Sequence, residues 1–262
     1  LGPLKYEEVT FKCGAGMTSA IYDWIQTGFN QKSNDRGRED GAIIYADYDE
    51  NEVTRLTFWQ GLVTEYGLPA LDASSKDAAL MTIKFQPEKT RKEIGKGGKI
   101  SFPADSAKQK KWLPSNFRLS IQGCEQGCKW VNKIEAITVK QKVTQNAVGE
   151  LRDYESVPSS VEIPNLEITL SESHADEFYK WHETFVIQGD NDQAAEKGGT
   201  LEYLTSNLKE TLFTLNFKQL GIFKIAPEKV EAGQEGVRRV KVSMYCEDIE
   251  FKYNNSAVYG RR

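Results

Sequence analysis

The sequence predicts a mainly β fold with short helices, of the α+β class, built from two tandem copies of one unit. Alternation carries the β assignment. In "VRRVKVSMYCEDIEFKY" (Val237–Tyr253), Val240, Val242, Met244 and Cys246 fall on one side of an extended chain and Arg239, Lys241, Ser243 and Tyr245 on the other. Helical periodicity is confined to short stretches, chiefly "IYDWIQTGF" (Ile21–Phe29) and "FYKWHETFV" (Phe178–Val186). These two open with the same apolar-Tyr-x-Trp pattern about 157 positions apart, which points to a repeat.

The elements follow in order. Val9–Lys12 alternates as a strand, and Thr18–Gly28 reads as a helix. "REDGAIIYADYDENEVTRLTFWQGLV" (Arg38–Val63) has a Gly-led alternating strand, a polar turn at Asp49–Glu52 and a second alternating strand. "LDASSKDAALMTIKF" (Leu71–Phe85) ends in another strand. The same series then recurs. Glu167–Leu170 is a strand, and Ser173–Ile187 a helix whose Phe178, Trp181, His182 and Phe185 form one stripe at i, i+3, i+4 and i+7. Ser173 followed by Asp176 predicts its N-cap. "EKGGTLEYLTSNLKETLFTLNFKQLGIF" (Glu196–Phe223) supplies two strands around a turn at Thr205–Glu210, and "VEAGQEGVRRVKVSM" (Val230–Met244) matches the Leu71–Phe85 segment. The offset stays near 158 over about 75 residues, too long a register for coincidence.

Two unequal domains are expected: residues 1–88, a basic linker or loop over 89–115, a second domain over 116–254 and a tail over 255–262. The second copy is preceded by "FRLSIQGCEQGCKWVNKIEAITVKQKV" (Phe117–Val143), read as a hairpin and a further strand. Nothing comparable precedes the first copy, so roughly 40–60 residues are expected upstream of Leu1. The Lys-rich stretch around 86–115 and the acidic stretch Gly149–Glu196 nearly cancel, and are suited to pair across a subunit boundary.

The net charge of −4 gives no global drive toward nucleic acid or anionic membrane. No apolar run approaches the roughly 20 residues of a membrane helix, and no signal-peptide pattern opens the sequence, so no membrane partner is expected. Four cysteines are too few for a disulfide scaffold at 262 residues and suggest assembly in a reducing compartment.

Candidate chemistry reads blandly. "IGKGGKIS" fails the phosphate-loop pattern, because Lys99 is followed by Ile100 and the position five before Gly98 is Glu93; a mobile basic loop is expected instead. Cys124 and Cys128 have no further His or Cys pair nearby to complete a zinc site. His174 and His182, eight apart, do not share a helix face as an i, i+4 pair does, and His182 stands where the first copy has Ile25, as a packed, hydrogen-bonded core residue. Neither a Gly-x-Ser-x-Gly elbow nor a His-Glu-x-x-His helix occurs. No catalytic, cofactor-binding or metal residue and no cofactor is therefore assigned, and no enzymatic activity is expected. The paired Tyr and Trp residues are architectural.

The sequence resembles the tail-tube protein family of contractile-tailed bacteriophages and contractile injection systems. The resemblance rests on "LGPLKYEEVTFKCG", "IYDWIQTGF", "REDGAIIYADYDENEVTRLTF" and "YGLPALDASSKDAALMTIKF" in the first copy. The second copy follows in outline over Phe117–Tyr253, departing where "LDASS" becomes "VEAGQ" and where the helix carries "YKWH". The resemblance implies, for each copy, a rolled antiparallel sheet or β-barrel with one packed helix. It also implies self-association into stacked rings around a lumen for DNA or effector passage, either three tandem chains as a pseudo-hexamer or six chains as a hexamer. Sheath, baseplate hub or tube proteins would be the further partners, in a virion tail or injection particle assembled in the bacterial cytoplasm. A secreted tandem β-module binding glycan or protein is the alternative reading.

Overall fold

The computed structural model describes residues 6–29, 37–100, 112–147, 154–228 and 237–254. Most of these lie in antiparallel strands, and the helices are short, so the fold is mainly β as the alternation predicts. Two seven-stranded sheets hold the strands. The first contains β1 (Val9–Cys13), β2 (Arg38–Ala46), β3 (Glu52–Leu68), β5 (Met81–Gln86), β6 (Lys89–Ile94), β9 (Ile137–Ala147) and β10 (Tyr154–Glu162). The second runs in the order β4 (Leu71–Asp72), β8 (Val131–Ile134), β11 (Leu166–Ser171), β14 (Arg239–Tyr253), β13 (Thr211–Pro227), β12 (Lys197–Leu204), β7 (Phe117–Ile121). Its edge strand β7 is joined to β8, which lies next to the two-residue strand β4 at the other edge, through residues 122–130 alone, a link so short that the sheet must curl toward itself.

The two sheets contain one topology twice. An N-terminal set pairs in the order β1-β5-β3-β2, and a C-terminal set in the order β11-β14-β13-β12. β5 and β6 lie end to end along β3 and together fill the place that the single long strand β14 fills beside β13. The cross-strand rows agree residue for residue. Gly41–Phe58–Thr90, Ile43–Leu56–Lys92 and Tyr45–Thr54–Ile94 have counterparts in Gly199–Phe217–Ile249, Leu201–Leu215–Phe251 and Tyr203–Phe213–Tyr253.

The backbone irregularities agree as well. Four non-glycine residues among those described have positive φ, and they form two matched pairs. Glu50 (φ 64°) and Leu208 (φ 58°) sit in the two hairpin turns, and Gln60 (φ 53°) and Gln219 (φ 55°) sit in bulges of the long strands β3 and β13. An L-residue in this region costs energy, so its recurrence at the same place in both strands reflects a shared backbone path. The turns differ in how they are tied. Asp47 accepts hydrogen bonds from the amides of Asp49 and Asn51, whereas Thr205 bonds Asn207 and the Glu210 carbonyl.

Helix α1 (Ser19–Phe29) buries Tyr22, Trp24 and Ile25, and α3 (Asp176–His182), extended by a π-helical turn Glu183–Ile187, buries Phe178, Trp181 and Phe185. The two Trp residues at the matched position are each 7% exposed. Trp24 Nε1–H donates to the Gly37 carbonyl at 2.6 Å, while the buried Trp181 Nε1 has no acceptor among the described residues and the ring lies under Lys197 instead. Burying each such ring contributes roughly 1.5–3 kcal/mol. One apolar core runs through both sheets, from Met17 and Tyr22 through Tyr66 to Phe213 and Phe251.

The structure corrects five expectations. Ser173 does not cap α3: it lies in a 3₁₀ turn (Glu172–His174), its hydroxyl bonded to Ser171 Oγ and His174 Nδ1, and Ala175 holds the cap position. His182 is half-buried and makes no side-chain hydrogen bond among the described residues, so it is not a packed core residue. Phe117–Val143 holds strands but no hairpin, because α2 (Glu125–Cys128) sends β7 and β8 to opposite ends of the second sheet. β9 does not stay with the second sheet: Ile137–Lys140 pairs with Glu65–Leu68 of β3. Arg38 helps to hold the β9–β10 arm there, bridging Glu88 at 2.9 Å and the Ser156 carbonyl. Finally, the front of the expected linker is structured, since Lys89–Ile94 is β6; residues 101–111 lie outside the described residues.

Candidate functional site

The cysteines and His174, weighed for chemistry from the sequence, take part in packing, whereas His182 is half-buried. Cys124 and Cys128 are buried free thiols, both pushed up to about 12 by desolvation, far from the thiolate form a metal or nucleophile needs. Burial likewise pushes Cys13 and Cys246 up to about 11. His174 stacks on Trp130 with centroids 3.8 Å apart. Among the described residues no three His, Cys, Asp or Glu side chains converge as a metal site would require.

The glycine-rich basic segment is tied down, contrary to the mobile loop expected. Gly95 N–H donates to the Val53 carbonyl at 2.8 Å, Gly97 N–H to Glu52 at 3.2 Å and Ile100 N–H to Glu50 at 2.8 Å. Amides occupied in this way are not available to a phosphate, whose loop presents free N–H groups. An open cavity of about 290 Å³ between Asp72, Ser74, Asn132, Lys133, Glu228 and Arg239 carries both charge signs, and its Asp72 is held below the usual carboxylate range by the Ser74 hydroxyl and amide.

What the fold leaves open is strand edge and sheet end. Among the described residues β1, β2, β4, β6, β7 and β10 each pair on one side only, and an unpaired row of N–H and C=O groups invites another chain. The outer end of β2–β3–β6 is exposed on both faces: Ile44, Tyr45 and Val53 are exposed, Tyr45 by 53%, and Ile94 by 93%. A second exposed apolar group lies on the outside of α3 and its π-helical turn, at Tyr179, Val186 and Ile187. The corresponding end of the C-terminal set is covered. Tyr203 and Phe213 stack at 4.2 Å under Trp112, and Tyr22 of α1 stacks on Tyr253 at 4.9 Å and on Phe251 at 6.1 Å. The Tyr253 hydroxyl donates to Asp23 at 2.8 Å, and Tyr66 meets Phe251 edge-on at 5.3 Å.

Sequence reasoning passed over these surfaces, since exposure is not visible in a linear pattern. The available signal was that the Tyr45–Thr54–Ile94 row matches Tyr203–Phe213–Tyr253 and is less aromatic.

Residues 1–91 match the family described as T4-like virus tail tube protein gp19. Over this N-terminal stretch the chain is similar to the tail-tube family. The matched stretch spans β1 through the first half of β6 and includes Ile44, Tyr45 and Val53 of the exposed sheet end, but not Ile94. No curated protein matches the chain. Among solved structures it is similar to a chain of the anti-feeding prophage (AFP) baseplate, at 13% identity and TM-score 0.39, covering 59% of this chain and 98% of that one. It is similar to a chain of the sheath–tube complex of an extracellular contractile injection system (PVC), at 14% identity and TM-score 0.40, covering 53% and 89%. The third is Hcp1 from Flavobacterium johnsoniae, at 14% identity and TM-score 0.31, covering 53% and 95%.

Proposed function

We propose that the chain is a non-enzymatic structural subunit of the inner tube, or of the tube-initiating baseplate adaptor, of a phage tail or contractile injection system. In this reading the N-terminal and C-terminal strand sets are tandem copies of the tail-tube module and occupy neighbouring positions in one ring around a lumen. Three chains then supply six modules, a pseudo-hexamer suited to join three-fold and six-fold parts of a particle. DNA or an effector is the passenger, and sheath, hub or tube proteins are the neighbours above and outside. Such particles assemble in the bacterial cytoplasm, which suits a chain whose thiols are free.

The observation that carries this reading is the doubled register: one strand order, three matched cross-strand rows and two matched pairs of positive-φ residues, half of them in the region that matches the tail-tube family. Ring closure is the physical outlet for the open edges, because joining sheets between subunits satisfies the unpaired backbone groups. Native mass measurement with negative-stain electron microscopy tests it. Rings at three times the chain mass are expected, and a chain that stays monomeric at every concentration contradicts the reading.

A further inference from the structure

Within the chain, the Tyr22 face of one helix of a matched pair is docked on the other strand set, and the counterpart Tyr179 face of the second helix is exposed. Tyr22 of α1 lies flat on Tyr253 and Phe251, 17° and 7° from parallel, and Asp23 accepts the Tyr253 hydroxyl. The helix alignment carries Tyr22 onto Tyr179 and Asp23 onto Lys180 of α3. The strand registers carry Tyr253 onto Ile94 and Phe251 onto Lys92 of β6. Tyr179 is 38% exposed and Ile94 is 93% exposed, so neither half of this second contact is made inside one chain.

We infer that the face of α3 around Tyr179 docks on the β2–β3–β6 end, around Ile94 and Lys92, of a second copy of this chain. The contact between chains then repeats the contact between the two sets inside a chain. The inference rests on the two sets being equivalent modules, as proposed above, and specifies which surfaces their repetition brings together.

Three properties of the surfaces support a second copy as the occupant. The first is continuity with the internal junction, since the same elements in the same register already form a packed interface once. The second is charge. Residues 89–99 hold Lys89, Arg91, Lys92, Lys96 and Lys99 against Glu93, whereas residues 172–183 hold Glu172, Asp176, Glu177 and Glu183 against Lys180. The third is the nature of the substitutions. Replacing Phe251 by Lys92 and Tyr253 by Ile94 turns an aromatic stack into a cation and an aliphatic surface, both of which suit the face of Tyr179. Because a helix face meets a sheet end, the contact is heterologous and propagates in one direction, as ring formation requires.

Full-length chains bearing Tyr179→Cys or Ile94→Cys test this when mixed under mild oxidation. Three of the four native thiols are buried, which keeps background cross-linking low. A disulfide linking one variant to the other is expected in the mixture, with much less in either variant alone. Independently, Tyr179→Glu is expected to raise the concentration needed for self-association by about tenfold or more, with unfolding by urea unchanged. If oligomers form normally in Tyr179→Glu and no mixed disulfide appears, the inferred contact is overturned while the ring reading stands. A wild-type chain that never associates overturns both.

Discussion

The outer ends of the two strand sets share a hydrogen-bond register and differ in what covers them. In the C-terminal set the row Tyr203–Phe213–Tyr253 lies beneath Trp112 and Tyr22, and Phe213 is fully buried. In the N-terminal set the same row reads Tyr45–Thr54–Ile94 and faces solvent. One backbone thus supports either a core or a docking surface, and the side chains on three cross-strand rows decide which. Where the neighbour belongs to the same chain the rows are aromatic and permanently packed. Where it would come from another chain they are smaller, more polar and basic, which keeps a free chain from exposing a large aromatic patch.

Truncation separates the two ends most strongly. Phe213→Ala should cost ~3–5 kcal/mol of stability in urea unfolding, as expected for an aromatic removed from a closed core. Its counterpart Thr54→Ala should change stability by no more than ~0.5 kcal/mol. Equal effects would show that the two ends are equally packed.

The matched tryptophans sharpen the comparison at the helices. Both are buried to the same degree, yet among the described residues Trp24 has an acceptor, the Gly37 carbonyl, and Trp181 has none. Trp24→Phe should therefore cost about 1 kcal/mol more than Trp181→Phe, because the first loses a hydrogen bond and the second sheds an unpaired donor. Thermal or urea unfolding of the two variants reads the difference directly.

Gln60 and Gln219 test the shared backbone path. Each holds a positive φ that glycine adopts without strain, so Gln60→Gly and Gln219→Gly should each raise stability by about 0.5–1 kcal/mol. Opposite signs for the two would mean that the bulges are not equivalent.

The smallest expected effect is alkaline. Burial first, and then the hydrogen bond to Glu196 at 2.7 Å, push Tyr245 up to about 12. A folded value above the unfolded one means that its stabilisation is complete below pH ~10 and is lost as pH rises toward the folded value. Tyr245→Phe should flatten that part of the pH–stability curve. An unchanged slope would assign the alkaline loss to other groups.

The strands and turns of both sets were legible in sequence because apolar spacing and turn residues are local. Turns are present where Asp49–Glu52 and Thr205–Glu210 were expected, the first over residues 47–51, and Val240, Val242, Met244 and Cys246 all point into the core. The strand β6 was not legible. "KTRKEI" lacks apolar alternation because neither of its faces is buried, so nothing distinguishes it from a solvated loop. The partners of β7, β8 and β9 were hidden for another reason: Phe117 finds Tyr203 and Lys140 finds Glu65 across about a third of the chain, and no local pattern encodes such pairings. The docking surfaces were hidden most deeply. Only the aligned registers show that Ile94 and Tyr253 are counterparts, and only burial shows that one is covered and the other is not.

The central claim is that the two strand sets act as equivalent modules in one ring. Symmetry analysis of end-on views of the assembled particle by cryo-electron microscopy tests it most directly. The account predicts six lobes around a lumen with three-fold, not six-fold, chain symmetry. A ring whose wall contains only the N-terminal set of six chains, with the C-terminal set outside, would contradict it.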